Sequence, residues 1–149
     1  MRRFGERVVQ GQRYEIRPGA YTIVTRGSNI LLTHQMAPTP EFQLPGGGID
    51  PGESPLQALH REVFEETGWR IRPVRRLTAY RRFVFMPDYD KWAEKVCIIY
   101  LSRAVHRLAP PSEDGHTAVW LSAGIALEVL AGEGDREILA SVLDQSSLR

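Results

Sequence analysis

At 149 residues, with 42% hydrophobic and 25% charged side chains, the chain has the size and composition of one globular domain with a sizeable core, which excludes a chain disordered throughout. A net charge of +1 creates no large electropositive field, so a dedicated nucleic-acid binder is not expected, while free nucleotides stay open as ligands. The one cysteine, Cys97, excludes an internal disulfide and lies in the apolar run Val96 to Leu101, the setting of a buried, inert thiol in a reducing compartment.

Met1-Arg2-Arg3 has the charge of a signal-peptide start, but no apolar stretch follows it, and no run approaches the ~20 apolar residues of a membrane span. A cytoplasmic protein is therefore expected. The first dozen residues are basic and weakly patterned, fitting a loose arm or an edge strand. Ala20 to Thr25 and Ile30 to Gln35 are predicted strands, joined by the hairpin-turn composition Arg26-Gly27-Ser28-Asn29. Met36 to Glu41, with Pro38 and Pro40, is a loop.

A glycine run, Gly46-Gly47-Gly48, comes next and suggests backbone that must approach something closely or adopt positive φ. Ser54 is a good N-cap, Pro55 suits the first helical position, Gln57 can complete a capping box, and Gly68 can close the helix, which predicts a helix over Pro55 to Thr67. Leu56, Leu59 and Val63 share one stripe of it, and Glu62, Glu65 and Glu66 cluster on the adjoining arc. Like charges three and four residues apart repel, by a few tenths of a kcal/mol per pair. A divalent cation removes that conflict, and carboxylate oxygens suit Mg2+ or Mn2+. By itself such an acidic face is ordinary solvated surface.

Beyond the helix, Leu77 to Phe85 and Lys95 to Val105 are predicted as strands around the turn Pro87-Asp88-Tyr89-Asp90. The aromatic residues Tyr80, Phe83, Phe85, Tyr89 and Trp92 are read as packing of this hairpin more than as a base-stacking platform. Arg75-Arg76 and Arg81-Arg82 are candidates for phosphate contacts, although at adjacent strand positions only one of each pair faces a given side. After a loop from Ala109 to His116 come a short strand, Thr117 to Leu121, a helix capped by Ser122 and running through Leu130, and a last helix capped by Asp135 with Ile138, Leu139, Val142 and Leu143 at helical spacing. This order of elements is that of an α/β chain with a mixed sheet between helices, with no repeat or linker dividing it.

The 23 residues from Gly47 to Trp69 carry a resemblance. Gly47, five residues, Glu53, seven residues, then Arg61-Glu62-Val63, Glu65-Glu66 and Gly68-Trp69 resemble the Nudix box, and Leu44-Pro45-Gly46 matches its usual lead-in. The resemblance implies a single Nudix hydrolase domain over residues 1–149, a Nudix-type α/β/α sandwich with a mixed β-sheet. It implies hydrolysis of a pyrophosphate bond in a nucleoside diphosphate linked to another group X, with Mg2+ or Mn2+ as cofactor. The metal ligands it implies are Glu62 and Glu66, with Glu65 sharing the role and Gly46 offering its backbone carbonyl. Arg61 would orient a glutamate through a bidentate pair. The general base stays open among Glu53, Glu62 and Glu65, while Gly47 and Gly68 hold structural positions in the motif.

In many similar proteins, a loop just ahead of a Trp-containing strand supplies another glutamate to the metal. Here that implies Glu113 or Asp114 ahead of the strand ending at Trp120, with Glu94 in the hairpin as the rival. The chain departs from the pattern by placing His116 and Thr117 closest to the strand. The substrate stays open among a nucleoside triphosphate, a dinucleoside polyphosphate, a nucleotide sugar and an RNA 5′ end. No membrane partner is expected, and a homodimer is open. The alternative is a catalytically silent Nudix-fold binding module, against which the intact box argues.

Overall fold

The computed structural model describes residues 1–147. Its strands are β1 (Arg2–Gly5), β2 (Glu15–Arg26), β3 (Asn29–Gln35), β4 (Glu41–Gln43), β5 (Gly46–Gly48), β6 (Trp69–Met86), β7 (Lys91–Arg107) and β8 (His116–Ser122). The helices are α1 (Pro55–Thr67), α2 (Ala123–Val129) and α3 (Glu133–Ser147), and one turn of 3-10 helix, Pro87–Tyr89, joins β6 to β7. All eight strands belong to one mixed sheet in the order β1-β6-β7-β2-β3-β4, with β5 paired to β2 and β8 to β3. The β1–β6 and β2–β7 pairs are parallel and the others antiparallel.

Residues at the centre of the sheet are buried on both faces because helices cover both. Ile23, Ile30, Leu32 and Ile99 pack with Ala126, Leu130, Leu139 and Val142 of the α2–α3 side. Ala20, Val24, Leu31 and Tyr100 pack with Leu59 and Val63 of α1. Neighbours along β2 and β3 thus alternate between two cores, as the two-residue period of a strand requires, and the result is the α/β/α sandwich. Cys97 lies in the α3-side core, where burial pushes its thiol up to about 11.

The helix α1 has the bounds its sequence predicts. Ser54 Oγ accepts from the Gln57 amide at 3.1 Å and Gln57 Oε1 accepts from the Ser54 amide at 2.8 Å, a complete capping box. At the other end Gly68 adopts φ 75° and its amide donates to Phe64 O at 2.8 Å. Leu56, in the first turn, is 45% exposed, so the buried stripe begins at Ala58 and Leu59.

Elsewhere the strands outrun their predicted ends. The sequence prediction begins the first hairpin strand at Leu77, yet β6 starts at Trp69, and shifts of register between Pro73 and Arg75 and between Arg76 and Thr78 let the proline sit within it. The first dozen residues contain an edge strand, β1, parallel to β6. Ser122 caps α2, accepting from the Ile125 amide at 3.4 Å. Asp135 caps nothing: α3 begins two residues earlier at Glu133, and the Asp135 carboxylate accepts the Tyr80 hydroxyl at 2.6 Å. Among the described residues, no helix is long and apolar enough to cross a membrane.

Gly68 is fixed by space as well as by φ, since a Cβ there would lie 1.7 Å from Ala109 O. Gly68→Ala is expected to cost at least the ~1–3 kcal/mol of one strained residue, because backbone must move to admit the methyl. Denaturant unfolding measures it, and a variant as stable as the parent would show that the 109–110 segment yields freely.

Candidate active site

The glycine run forms a strand and not an open loop. Gly46, Gly47 and Gly48 pair with Tyr21, Ala20 and Gly19 of β2, which makes them the part of the sheet against which α1 lies. Gly46 takes φ 143°, and a Cβ on it would lie 2.2 Å from Ala20 O. Gly47 needs no positive φ: its constraint is close approach, because a Cβ would lie 2.5 Å from the Glu62 carboxyl carbon. The absent side chain at Gly47 is what lets α1 bring Glu62 against the sheet.

Arg61 organises the near side of this contact. It holds Glu53 in a bidentate pair, Nε to Oε2 at 2.7 Å and Nη2 to Oε1 at 2.9 Å, while Nη1 donates to Glu62 Oε1 at 2.8 Å and Nη2 to Gly48 O at 3.0 Å. A weaker contact reaches Glu65 Oε2 at 3.5 Å. Asp50 donates its amide to Glu53 Oε1 at 3.0 Å. The Arg61 hydrogen bonds, helped by that amide, hold the Glu53 carboxyl down at about 2. The same partners raise the guanidinium further. Planar, permanently charged and forked, arginine ties three segments, the β5 end, the 50–53 turn and α1, into one unit.

On the far side stand the other carboxylates. Glu66 is 5% exposed and its Oε1 accepts the Gly46 amide at 2.8 Å. The Ser112 and Glu113 amides donate to Glu65 O at 2.9 and 3.0 Å, docking the loop before β8 onto the last turn of α1. That docking brings Glu113 in. Ligand atoms of Glu62, Glu65 and Glu113 lie within 4.8 Å of one another, and so do those of Glu66, Glu113 and His116. His116 Nε2 is 3.4 Å from Glu66 Oε2, and its Nδ1 is buried without a hydrogen-bond partner.

Burial pushes the Glu66 carboxyl well above the usual carboxylate range; the Gly46 amide pulls it down, and Glu113, Glu62 and Glu65 push it further up. Burial likewise raises Glu62 against the opposing pull of Arg61. A set of oxygens that cannot all ionise without a counter-charge, joined by an imidazole, fits a divalent cation.

The structure brings together Glu53, Arg61, Glu62, Glu65, Glu66, Gly46 and Glu113 of the residues singled out in the sequence. Asp114 is exposed and joins neither group, since the turn at Gly115 leaves Glu113 as the residue anchored to α1. The rival Glu94 is engaged by Arg81 at 3.2 Å in the hairpin. In the sequence His116 stands out only as a departure from the family pattern. Its signal was its place at the start of a strand, three residues after Glu113.

The NUDIX domain family model matches residues 15–142. An RNA pyrophosphohydrolase of Pectobacterium atrosepticum is 48% identical over 61 residues, 38% of this chain and 34% of the relative. A Bacillus subtilis protein provisionally named an 8-oxo-dGTP diphosphatase is 37% identical over 70 residues, 47% of each chain. The chain thus spans less than half the length of these curated relatives. Among solved structures, a NUDIX hydrolase from Nitrosomonas europaea superposes with a TM-score of 0.74 at 17% identity, over 88% of this chain and 90% of that one. A MutT protein from Bacillus halodurans gives 0.69 at 24% identity, over 85% and 82%. Low identity with this degree of superposition speaks for the fold, and the family model speaks for the lineage. With its box folded as a glycine strand and acidic helix inside that sandwich, the chain belongs to the NUDIX domain family.

Proposed function

We propose that the chain is a divalent-metal-dependent hydrolase of a pyrophosphate bond in a nucleoside diphosphate linked to another group X, working in the cytoplasm. The observation that carries this is a pair of ligand groups that share Glu113, one with Glu62 and Glu65 and one with Glu66 and His116, with the Gly46 amide of β5 bonded to Glu66. The relatives named above support it, since both names describe cleavage of a phosphoric anhydride. Glu62, Glu65 and Glu66 would hold Mg2+ or Mn2+, with Glu113 and His116 closing the far side and the Gly46 carbonyl as the backbone ligand implied by family resemblance. When bound, the cation supplies Lewis-acid charge that admits a polyanionic substrate among carboxylates and lowers the pKa of a bound water.

The chain's own residues divide the remaining work. Glu53 is a weak base, held at about 2 by Arg61, so it is assigned to position Arg61, and through it Glu62. Removing the proton from the attacking water then falls to Glu62 or Glu65. The Gly46 amide fixes Glu66 Oε1, which leaves Oε2 facing His116.

Glu62→Gln and Glu66→Gln are each expected to lower kcat by about 100-fold or more, consistent with the loss of several kcal/mol of charge stabilisation, while the fold persists. Turnover of nucleoside di- and triphosphate derivatives with Mg2+ and with Mn2+ is the measurement. Activity within a few-fold of the parent would remove the assignment, and a parent without turnover on any of them would favour a binding module.

Glu113→Ala is expected to raise the Mg2+ concentration for half-maximal turnover by about tenfold, as ligand-supporting groups do. Asp114→Ala and Glu94→Ala should leave it in place. If Asp114 or Glu94 produced the larger shift, the outer ligand would have to be moved to that residue.

Gly47→Val puts a branched side chain where Glu62 stands, so both melting temperature and turnover should fall. An unaltered melt together with an unaltered Mg2+ titration would show that β5 and α1 can separate without harm.

A further inference from the structure

Away from the carboxylates, three cations stand in a row across the sheet. Arg17 of β2 pairs in register with Lys95 of β7, which pairs in register with Arg82 of β6. Register partners share a face, and like charges directly opposite destabilise a sheet. Among the described residues none of the three has a carboxylate within ion-pairing distance, whereas Arg81, next along β6 and on the other face, is paired with Glu94 at 3.2 Å. Four acids line the same cleft and its inner cavity, Glu6, Glu41, Asp88 and Asp135, and none of them stands within ion-pairing distance of the three cations. Glu41 Oε1 accepts from Gln35 at 3.1 Å and from Gln43 at 2.6 Å, and Asp135 accepts from Tyr80 at 2.6 Å. Arg17 leans on the Met86 sulfur at 3.9 Å and on the Tyr89 ring.

Lys95 and Arg82, with Glu41 and Gln43, line both a cleft of about 570 Å³ under the β6–β7 hairpin and a smaller cavity of about 100 Å³ at its inner end, beside Tyr21 and Asp135. Burial depresses the Lys95 ammonium, and the charges of Arg82 and Arg17 add to this against the opposing influence of Cys97 and Glu41. The row faces the α2–α3 side of the sheet, whereas the proposed metal ligands Glu62, Glu65 and Glu66 come from α1 on the other side. Arg17 lies two residues from Gly19 on one face of β2, and Gly19 pairs with Gly48. Two strand spacings and one two-residue step separate Lys95 from Gly48, about 12 Å. Tyr21 spans the gap: burial raises its phenol, and Cys97 and Asp135 on one side and Glu66 and Glu62 on the other add to the rise.

We propose that Lys95 and Arg82, the two members of the row that line the cleft, form an anion subsite for a second phosphate of the substrate, one nucleoside away from the scissile pyrophosphate. The proposal rests on the hydrolase function proposed above and adds the substrate class: nucleoside 5′-polyphosphates that also carry a phosphate on the 3′ side. About 12 Å is too far for the two phosphates of one pyrophosphate to reach both places. Two neighbouring cations without ion-pair partners, one of them desolvated, gain charge-assisted hydrogen bonds from a phosphate and lose their mutual repulsion. That phosphate is a monoester in a 3′-phosphorylated nucleotide and a diester in the 5′ end of an RNA.

The test compares kcat/KM for a nucleoside 5′-triphosphate, its 3′-phosphorylated counterpart and a 5′-triphosphorylated dinucleotide of the same first base. The 3′-side phosphate should lower KM by about tenfold or more with little change in kcat, as for binding shared by ground and transition states. The preference should shrink with salt and collapse toward one in Lys95→Met and Arg82→Gln. A larger gain from the monoester assigns a nucleotide substrate, a larger gain from the dinucleotide assigns an RNA 5′ end, and no gain from either overturns the subsite.

A second readout is independent of turnover. A nucleoside 3′,5′-bisphosphate, added without divalent metal, should raise the melting temperature of the parent more than the 5′-monophosphate does, and Lys95→Met should erase the difference. Stabilisation through Lys95 in a protein that hydrolyses none of the nucleotides would refute the hydrolase function and keep the subsite. Turnover with no 3′-phosphate preference would do the reverse.

Discussion

Everything at the proposed active site depends on keeping the Glu66 carboxylate buried among other acids. One helix of 13 residues carries Glu62, Glu65 and Glu66, the docked loop adds Glu113, and the sheet side offers a single Gly46 amide in compensation. Burying a charge that lacks a full partner is costly, and the group responds by raising its pKa. The sign of the consequence is definite. The folded state holds protons that the unfolded state has already released, so each raised carboxyl takes stability away as pH climbs above the ordinary carboxylate range. A divalent cation reverses that cost, which is why the metal proposal follows from the arrangement as well as from the family.

The rest of the local structure keeps this arrangement from relaxing. Gly47 admits Glu62 to the sheet, Gly68 turns the chain sharply so that the 109–113 segment can dock on α1, and Arg61 holds Glu53 and Glu62 together. The capping box fixes the start of α1 and therefore the rotation that aims three glutamates one way. Together they hold in place groups whose mutual repulsion would otherwise drive them into water.

Local signals were the ones that could be read from the sequence. The bounds of α1 were legible because its two caps are written in side chains, Ser54 with Gln57 and then Gly68. The hairpin of β2 and β3 was legible from alternation and a polar turn. Long-range facts were not. That Gly46–Gly48 is a strand depends on pairing with β2, whose residues are far away in sequence, and glycine has low strand propensity. The early start of β6 was hidden by Pro73, which a bulge accommodates. Asp135 looked like a cap because its residue type favours caps, yet tertiary contact with Tyr80 decided its place. His116 could be named but not placed until the amides of Ser112 and Glu113 showed how the loop sits on α1. The cation row is half visible in the sequence: Arg82 is a candidate phosphate contact, but its alignment with Lys95 and Arg17 is a matter of register between strands.

The measurement closest to the central claim is thermal unfolding near neutral pH of the parent and of Glu66→Gln, each with and without Mg2+ or Mn2+. The parent should gain stability with metal, about 2.7 kcal/mol at a hundredfold excess over Kd, or roughly 5–10 °C for a domain of this size. Glu66→Gln should melt above the parent without metal, having lost the buried charge, and should gain much less when metal is added. A parent indifferent to both metals, or a variant that starts lower and gains as much, would contradict the claim that buried acidic repulsion at Glu66 is held for a cation.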